Sequence, residues 1–306
     1  MMTMQNTDLT DFIKKHRLPD TYARDAQQWF SPVADSIAAE RKKAGKTLII
    51  GINGSQGSGK STLAEYLALL LRGKYHLKTV VLSIDDFYLT LQQRKSLSKS
   101  VHPLMATRGV PGTHDVELAI KVIQGLSEGK SCTEIPRFDK SVDDRYPEEK
   151  WDTIFPPTDI IIFEGWCVGA DSQSAEELLK PVNSLEKDED CDGTWRNYVN
   201  QQLAGRYQDL FKLVNTWIML KAPSFDCVYQ WRLEQETKLR RSLPEPASTT
   251  ENTKVMDESG VKRFIQYYQR ITEHLLNSLP DKVDILFELD QERKILSLQQ
   301  KNTADA

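Results

Sequence analysis

The stretch Gly54-Ser55-Gln56-Gly57-Ser58-Gly59-Lys60-Ser61-Thr62 constrains this chain more than any other. It fits the pattern G-x-x-x-x-G-K-[ST], in which a glycine-rich turn leads into a helix. Before it, residues 47–52 (TLIIGI) form a short apolar, β-branched run of the kind that makes a buried strand. After it, Leu63, Leu67, Leu70 and Leu71 fall on one face of a helix opening near Lys60. Glycine is needed where backbone approaches a ligand closely or takes φ > 0. Loop amides and the helix N-terminus can then wrap a polyphosphate. Lys60 is placed to reach the outer phosphates, and the Ser61 hydroxyl to hold Mg²⁺. The plainer reading, a glycine-rich turn with no ligand, fits the flanking strand and helix poorly. The expectation is a protein that binds a nucleoside triphosphate.

Four more strand-like runs follow, at 79–84 (TVVLSI), 159–163 (DIIIF), 216–220 (TWIML) and 283–287 (VDILF). Their near-continuous apolar character suits strands covered on both faces. Helical patterns lie between several of them, including 116–126 and 225–241. Such alternation implies right-handed crossovers. The expected fold is therefore α/β, a phosphate-loop NTPase-type three-layer fold. It should have a mainly parallel sheet of about five strands and helices on both faces.

No glycine-, serine- or proline-rich linker divides the 306 residues into independent halves. We expect a helical N-terminal extension over 1–46, with Phe12, Leu18, Tyr22, Trp29 and Ile37 available for packing, and a single phosphate-loop domain over 47–306. Within it, 171–200 reads as an insertion whose acidic run 186–193 (EKDEDCDG) is a solvated loop. The segment 242–260, with Pro244, Pro246, Ser248, Thr249 and Thr250, reads as an exposed loop.

Lys and Arg number 40 against 44 Asp and Glu, a net charge of -4, and no basic stripe appears, so nucleic acid is not expected as a partner. Cys132, Cys167, Cys191 and Cys227 are widely spaced, with no C-x-x-C pair to suggest zinc or a disulfide framework. Residues 1–20 lack the apolar centre of a signal peptide, and no run approaches membrane-spanning length. A soluble, cytoplasmic protein acting on small molecules is the simplest expectation.

Nucleotide binding does not separate a kinase from a switch or motor, so the acids near the loop matter. The second strand ends in Ser83-Ile84-Asp85-Asp86-Phe87-Tyr88, with two carboxylates where α/β sheets place ligands. Such a group can take the proton of an attacking hydroxyl or help hold the metal, or it can simply cap a helix. The third strand ends at Glu164-Gly165-Trp166, an acid suited to magnesium or, again, to a cap. Two loops then combine turn residues with charge, 108–115 (RGVPGTHD) and 136–147 (PRFDKSVDDRYP). Arginine suits carboxylate or phosphate recognition, though a single arginine is more often a surface ion pair. His114 reads most simply as a structural hydrogen-bonding residue. The 231–241 segment reads as a charged helix whose Arg232 and Glu236 lie i,i+4 on a solvated face. Alternatively it is a lid that brings Arg232, Lys238, Arg240 or Arg241 to the phosphates.

Taken in order, GSQGSGKST at 54–62, SIDDFY at 83–88, RGVPGTHD at 108–115, RFDKS at 137–141 and FEGWCVG at 163–169 resemble the D-glycerate 3-kinase family. That family includes plant-type glycerate kinases and kinase-like bacterial and fungal relatives. It belongs to the wider phosphate-loop group of uridine kinase, phosphoribulokinase and pantothenate kinase. The resemblance covers 47 to about 290. It implies a P-loop kinase domain using ATP and Mg²⁺, with acceptor loops within 101–150 and a possible lid over 225–260. Lys60, Asp85 and Glu164 are then the catalytic candidates, and Gly54 to Thr62 the nucleotide site. Ser61, Asp86 and Glu164 are the magnesium candidates. Asp85, Tyr88, Arg108, His114, Arg137 and Arg145 are the acceptor candidates. Phosphorylation of D-glycerate to 3-phosphoglycerate is the reaction implied. A nucleoside, pantothenate or sugar-phosphate acceptor, or a regulatory ATPase with no small acceptor, are the alternatives.

Overall fold

The computed structural model describes residues 6–19, 21–242 and 256–301. Ten strands form among them: β1 (Leu48–Gly54), β2 (Thr79–Ser83), β3 (Thr133–Ile135), β4 (Phe138–Asp139), β5 (Asp144–Arg145), β6 (Asp152–Ile154), β7 (Ile160–Gly165), β8 (Thr216–Lys221), β9 (Ile285–Leu289) and β10 (Ile295–Gln300). Six of them make the central sheet, in the order β10-β9-β8-β1-β7-β2. The five anticipated strands are parallel and β10 returns antiparallel beside β9. β1 and β7 are buried along their whole length, as their unbroken apolar runs require. Helices cover both faces.

The register matters for function. Glu164 lies beside Ile52 of β1 on one side and Ser83 of β2 on the other. Parallel pairing thus brings the phosphate loop, the Asp85-Asp86 pair and Glu164 to one end of the sheet, where open α/β folds bind ligands.

β10 had no sequence expectation. Its residues are largely half-exposed or exposed, and an edge strand that buries one face lacks the continuous apolar signature. The N-terminal segment forms three helices, Asn6–His16, Tyr22–Trp29 and Ser31–Ala44. Phe12, Tyr22 and Phe30 surround Tyr66 of the phosphate-loop helix (Lys60–Tyr75), with ring centroids 5.7, 6.0 and 6.0 Å away. Lys15 adds a 2.8 Å bond to Glu65 of that helix.

Two readings need correction. The acidic run is only partly solvated: Lys187, Asp188, Glu189, Cys191 and Asp192 are exposed, but Glu186 and Asp190 are fully buried, in and just after a short helix (Ser184–Glu189). Glu186 receives two bonds from Arg270, at 2.7 and 2.6 Å, and Asp190 pairs with Arg196 at 2.9 Å. Buried carboxylates persist where a guanidinium satisfies them, and neither arginine is near its partner by the i,i+4 rule that sequence reading uses. The second concerns the helix Phe225–Ser242, whose Glu236 is buried and whose Arg232 lies over the Phe264 ring, 5.1 Å from its centroid. That face packs inward against the helix Glu258–Ser278. Pro244, Pro246, Ser248, Thr249 and Thr250 lie outside the described residues. No helix among those described is long and apolar enough to cross a membrane.

Candidate functional site

The phosphate loop has the shape its glycines imply. Gly57 and Gly59 take φ of +81° and +92°, a region that side chains disfavour. A Cβ on Gly57 would sit 2.7 Å from Trp231 Cβ, whereas one on Gly59 would meet nothing within 4 Å. The first glycine lets the loop pass under the helix 225–242, and the second opens onto free space at the N-terminus of the helix Lys60–Tyr75. Ser55 Oγ, Gln56 Oε1 and Ser58 Oγ are buried without a hydrogen-bond partner among the described residues. Buried polar atoms left unpaired in a preformed loop are what a phosphate ligand would satisfy.

The acids are placed by the sheet. Ser61 Oγ donates to Glu164 Oε1 at 2.9 Å, and Lys60 Nζ stands 4.0 Å from Glu164 Oε2, which is buried with no hydrogen-bond partner. Glu164 lies inside β7 and caps nothing. Nor does Asp85 or Asp86 cap: Ser83 Oγ accepts from Asp85 N at 3.3 Å, opening the 3₁₀ turn Ile84–Phe87. Asp85 is thus free to use its carboxylate elsewhere, taking Tyr88 Oη at 2.7 Å and Lys140 Nζ at 2.7 Å. Asp86 accepts from Arg137 at 2.6 Å.

These environments push the three acids apart. At Asp85 burial disfavours the charge, but the Lys140 ammonium, with Lys60 and Tyr88, outweighs it and holds the carboxyl well below the usual range. Burial pushes Glu164 up against the pull of Lys60, with Asp85 adding repulsion. It likewise pushes Asp86 up despite Arg137. Carboxylates separated in this way can take different roles in one site.

The candidate acceptor arginines separate too. Arg137 is bound to Asp86 at 2.6 Å and to Asp152 at 2.7 Å. Arg145 donates to the Tyr88 carbonyl at 2.9 Å and to Asp115 at 3.3 Å, and Asp115 also caps the helix Val116–Glu128. Arg108 is half-buried, lies over the Phe138 ring and pairs with Asp143. His114 stacks on Tyr88 at 4.7 Å, and its Nδ1 meets Tyr207 Oη at 2.7 Å. Burial pushes its imidazole down to about 4, so it is neutral at pH 7. A groove of about 750 Å³ along the free edge of β2 touches Ser61, Asp86, Arg137 and Glu164, but neither Lys60 nor Asp85 lines it.

Residues 49–226 match the phosphoribulokinase/uridine kinase family, a span that includes the phosphate loop, both acidic strand ends and the two charged loops. The chain belongs to that family. An uncharacterised kinase of Schizosaccharomyces pombe, mug58, is 34% identical over 81% of this chain and 88% of its own length. The chloroplastic D-glycerate 3-kinase of Arabidopsis thaliana is 30% identical over 80% of this chain, which spans 53% of that enzyme. A solved D-glycerate 3-kinase from Cryptococcus neoformans shares the fold, with TM-score 0.74 and 23% identity over 90% of this chain and 99% of that one.

In this kinase the cations of the helix 225–242 are engaged with one another's neighbours. Arg232 pairs with Glu236, Lys238 with Glu234 at 2.5 Å, and Arg240 donates to the Met256 carbonyl at 3.0 Å. The Arg241 side chain lies outside the description. Trp231 is anchored by a 2.6 Å bond to the Gln291 carbonyl, which fixes this helix over Gly57.

Other residues of the kinase's site had no sequence signal. Arg94, fully buried, reaches the Asp143 carboxylate at 3.1 Å and its carbonyl at 2.6 Å, and also takes the Ala106 carbonyl at 2.9 Å. It sits among polar residues of a helix (Leu91–Ser100), where burial is not legible. Tyr268, Tyr207 and Trp231 come from distant helices. Lys140 stands within the RFDKS motif, yet nothing local marks it as the partner of Asp85.

Proposed function

We propose that this kinase transfers the γ-phosphoryl group of ATP to a hydroxyl of D-glycerate, giving 3-phosphoglycerate. The supporting observation is the sorting of the three arginines. Arg137 and Arg145 are tied into the scaffold by two acceptors each, whereas Arg108 faces a carboxylate from a loop, Asp143. A substrate carboxylate can take that place, and arginine's fork suits it. Phe87, Tyr88, Phe138 and Trp166, the aromatics that a nucleoside would need for stacking, are all buried at 8% exposure or less. That favours a small acid over a nucleoside.

In this reading the loop amides and Lys60 hold the triphosphate, and Asp85 orients the acceptor hydroxyl and takes its proton. Magnesium fits the donor set: Glu164 Oε2 is buried beside Ser61 with no hydrogen-bond partner, and Asp86 lies on the same groove. A magnesium ion in such a site takes one or two carboxylates and is otherwise held by phosphates and water. Bound there, the ion would offset charge on the β- and γ-phosphates. The helices of residues 6–44 act as a brace on the phosphate-loop helix, and the segment from 47 onward as the kinase unit.

The test is ADP release with MgATP and a panel of D-glycerate, uridine, pantothenate and ribulose 5-phosphate. Stimulation by D-glycerate alone is expected. Stimulation by another member would reassign the acceptor, and none at all, with ATP still bound, would favour a regulatory ATPase.

A further inference from the structure

Phosphoryl transfer needs positive charge beside the moving group, because charge spreads over its three equatorial oxygens in the transition state. A helix closing over the phosphate loop is the expected source. Among the described side chains of helix 225–242, Arg232 pairs with Glu236 and lies over Phe264, Lys238 pairs with Glu234, and Arg240 donates to the Met256 carbonyl.

The opposite wall offers a different cation. Lys140 stands in the turn between β4 and β5, its side chain 61% exposed, with Nζ 2.7 Å from Asp85 Oδ2. The turn that carries it is pinned on every side. Asp139 accepts from Ser141 N at 2.8 Å, and Arg94 holds Asp143 by both its carboxylate and its carbonyl. Asp144 caps Leu91 N at 3.0 Å, and Arg145 holds the Tyr88 carbonyl at 2.9 Å. A four-carbon side chain on a fixed turn can swing its ammonium without moving the backbone.

Its resting position also poses a chemical problem. Tyr88 donates to Asp85 Oδ1 and Lys140 to Oδ2, so an acceptor hydroxyl has to share the carboxylate with both. An ammonium that leaves Oδ2 frees that oxygen for the acceptor's proton. With ATP held by Lys60, the γ-phosphate would be the strongest anion on this side of the site.

We propose that Lys140 is a catalytic residue that covers Asp85 in the resting site and moves onto the transferring phosphoryl group once MgATP and the acceptor bind. This rests on the kinase reading above. The acceptor oxygen forms its bond to the γ-phosphorus as the bond to the β,γ-bridging oxygen breaks. The electron pair leaves on ADP, and the hydroxyl proton passes to Asp85 Oδ2. Lys140 moves no proton; its charge offsets the equatorial oxygens. The β4–β5 turn thus supplies a transfer cation of its own.

The experiment compares wild type, Lys140→Met and Lys140→Arg, full length, by steady-state kinetics with MgATP and D-glycerate and by calorimetric MgATP binding. Lys140→Met should lose about 10²–10³-fold in kcat while acceptor KM and MgATP affinity stay within about threefold. Lys140→Arg should recover at least about tenfold of that loss, since it restores the charge. An unchanged or raised kcat in Lys140→Met would reduce Lys140 to a resting counter-ion. A rise confined to acceptor KM would make it an acceptor anchor; either result overturns the proposal. If wild type ignores D-glycerate, the acceptor reading fails, and Lys140 is judged on basal MgATP hydrolysis. Slower hydrolysis in Lys140→Met then supports the transfer role, and an unchanged rate overturns it.

Discussion

The two sides of the candidate site are built in opposite ways. The phosphate side comes from one continuous stretch, Gly54 to Thr62, shaped by two positive-φ glycines and the start of a helix. The acceptor side is assembled from Asp85 and Tyr88, Arg94, Arg108, the 138–145 hairpin and Tyr268, joined by ion pairs and ring contacts. A contiguous loop is specified by local backbone chemistry and fits any triphosphate. A convergent site depends on several long side chains meeting, so small changes in the partners can retune it. This arrangement suits a family that keeps one donor and varies the acceptor.

Substitutions can break that contrast, and the largest effect belongs where the two sides meet. Asp85→Asn should lower kcat by about 10²–10⁴-fold while ATP binding persists. A near wild-type rate would remove the proton-accepting role. Next comes a site far from the chemistry: Arg270→Ala leaves the buried Glu186 without its guanidinium and should cost about 3–5 kcal/mol in denaturant unfolding. If stability is unchanged, the pair that converts the acidic insertion into folded structure is not holding it.

Arg108→Ala should then raise acceptor KM by about 10–100-fold, the loss of one charged hydrogen-bonding partner, with ATP KM unaffected. Arg137→Ala should leave acceptor KM nearly unchanged, and equal effects in the two variants would erase the sorting of the arginines. The smallest effect is expected at Lys238→Ala, whose exposed partner is Glu234, with under about 1 kcal/mol in stability and little change in rate. A large loss of kcat there would give helix 225–242 a part in the transfer.

Legibility follows the same division. The five parallel strands were readable because strands buried on both faces must be apolar throughout. β10 was not, because half its residues face water. The acidic strand ends were visible as positions, and the competing capping readings fell once Ser83 was seen to cap and Glu164 to lie within β7. Arg94 and Glu186 were invisible, since a charged residue reads as exposed unless its distant partner is known.

By itself the sequence determined the phosphate loop, the parallel sheet and the placing of acids at its carboxyl end. Periodicity and glycine conformation act over a few residues, so they are written locally. Tertiary structure alone decided which carboxylate is held ionised, which arginines are tied into the scaffold, and that Lys140 meets Asp85 across 55 positions. Those outcomes depend on burial and on charges brought together by the fold, and no local pattern encodes either.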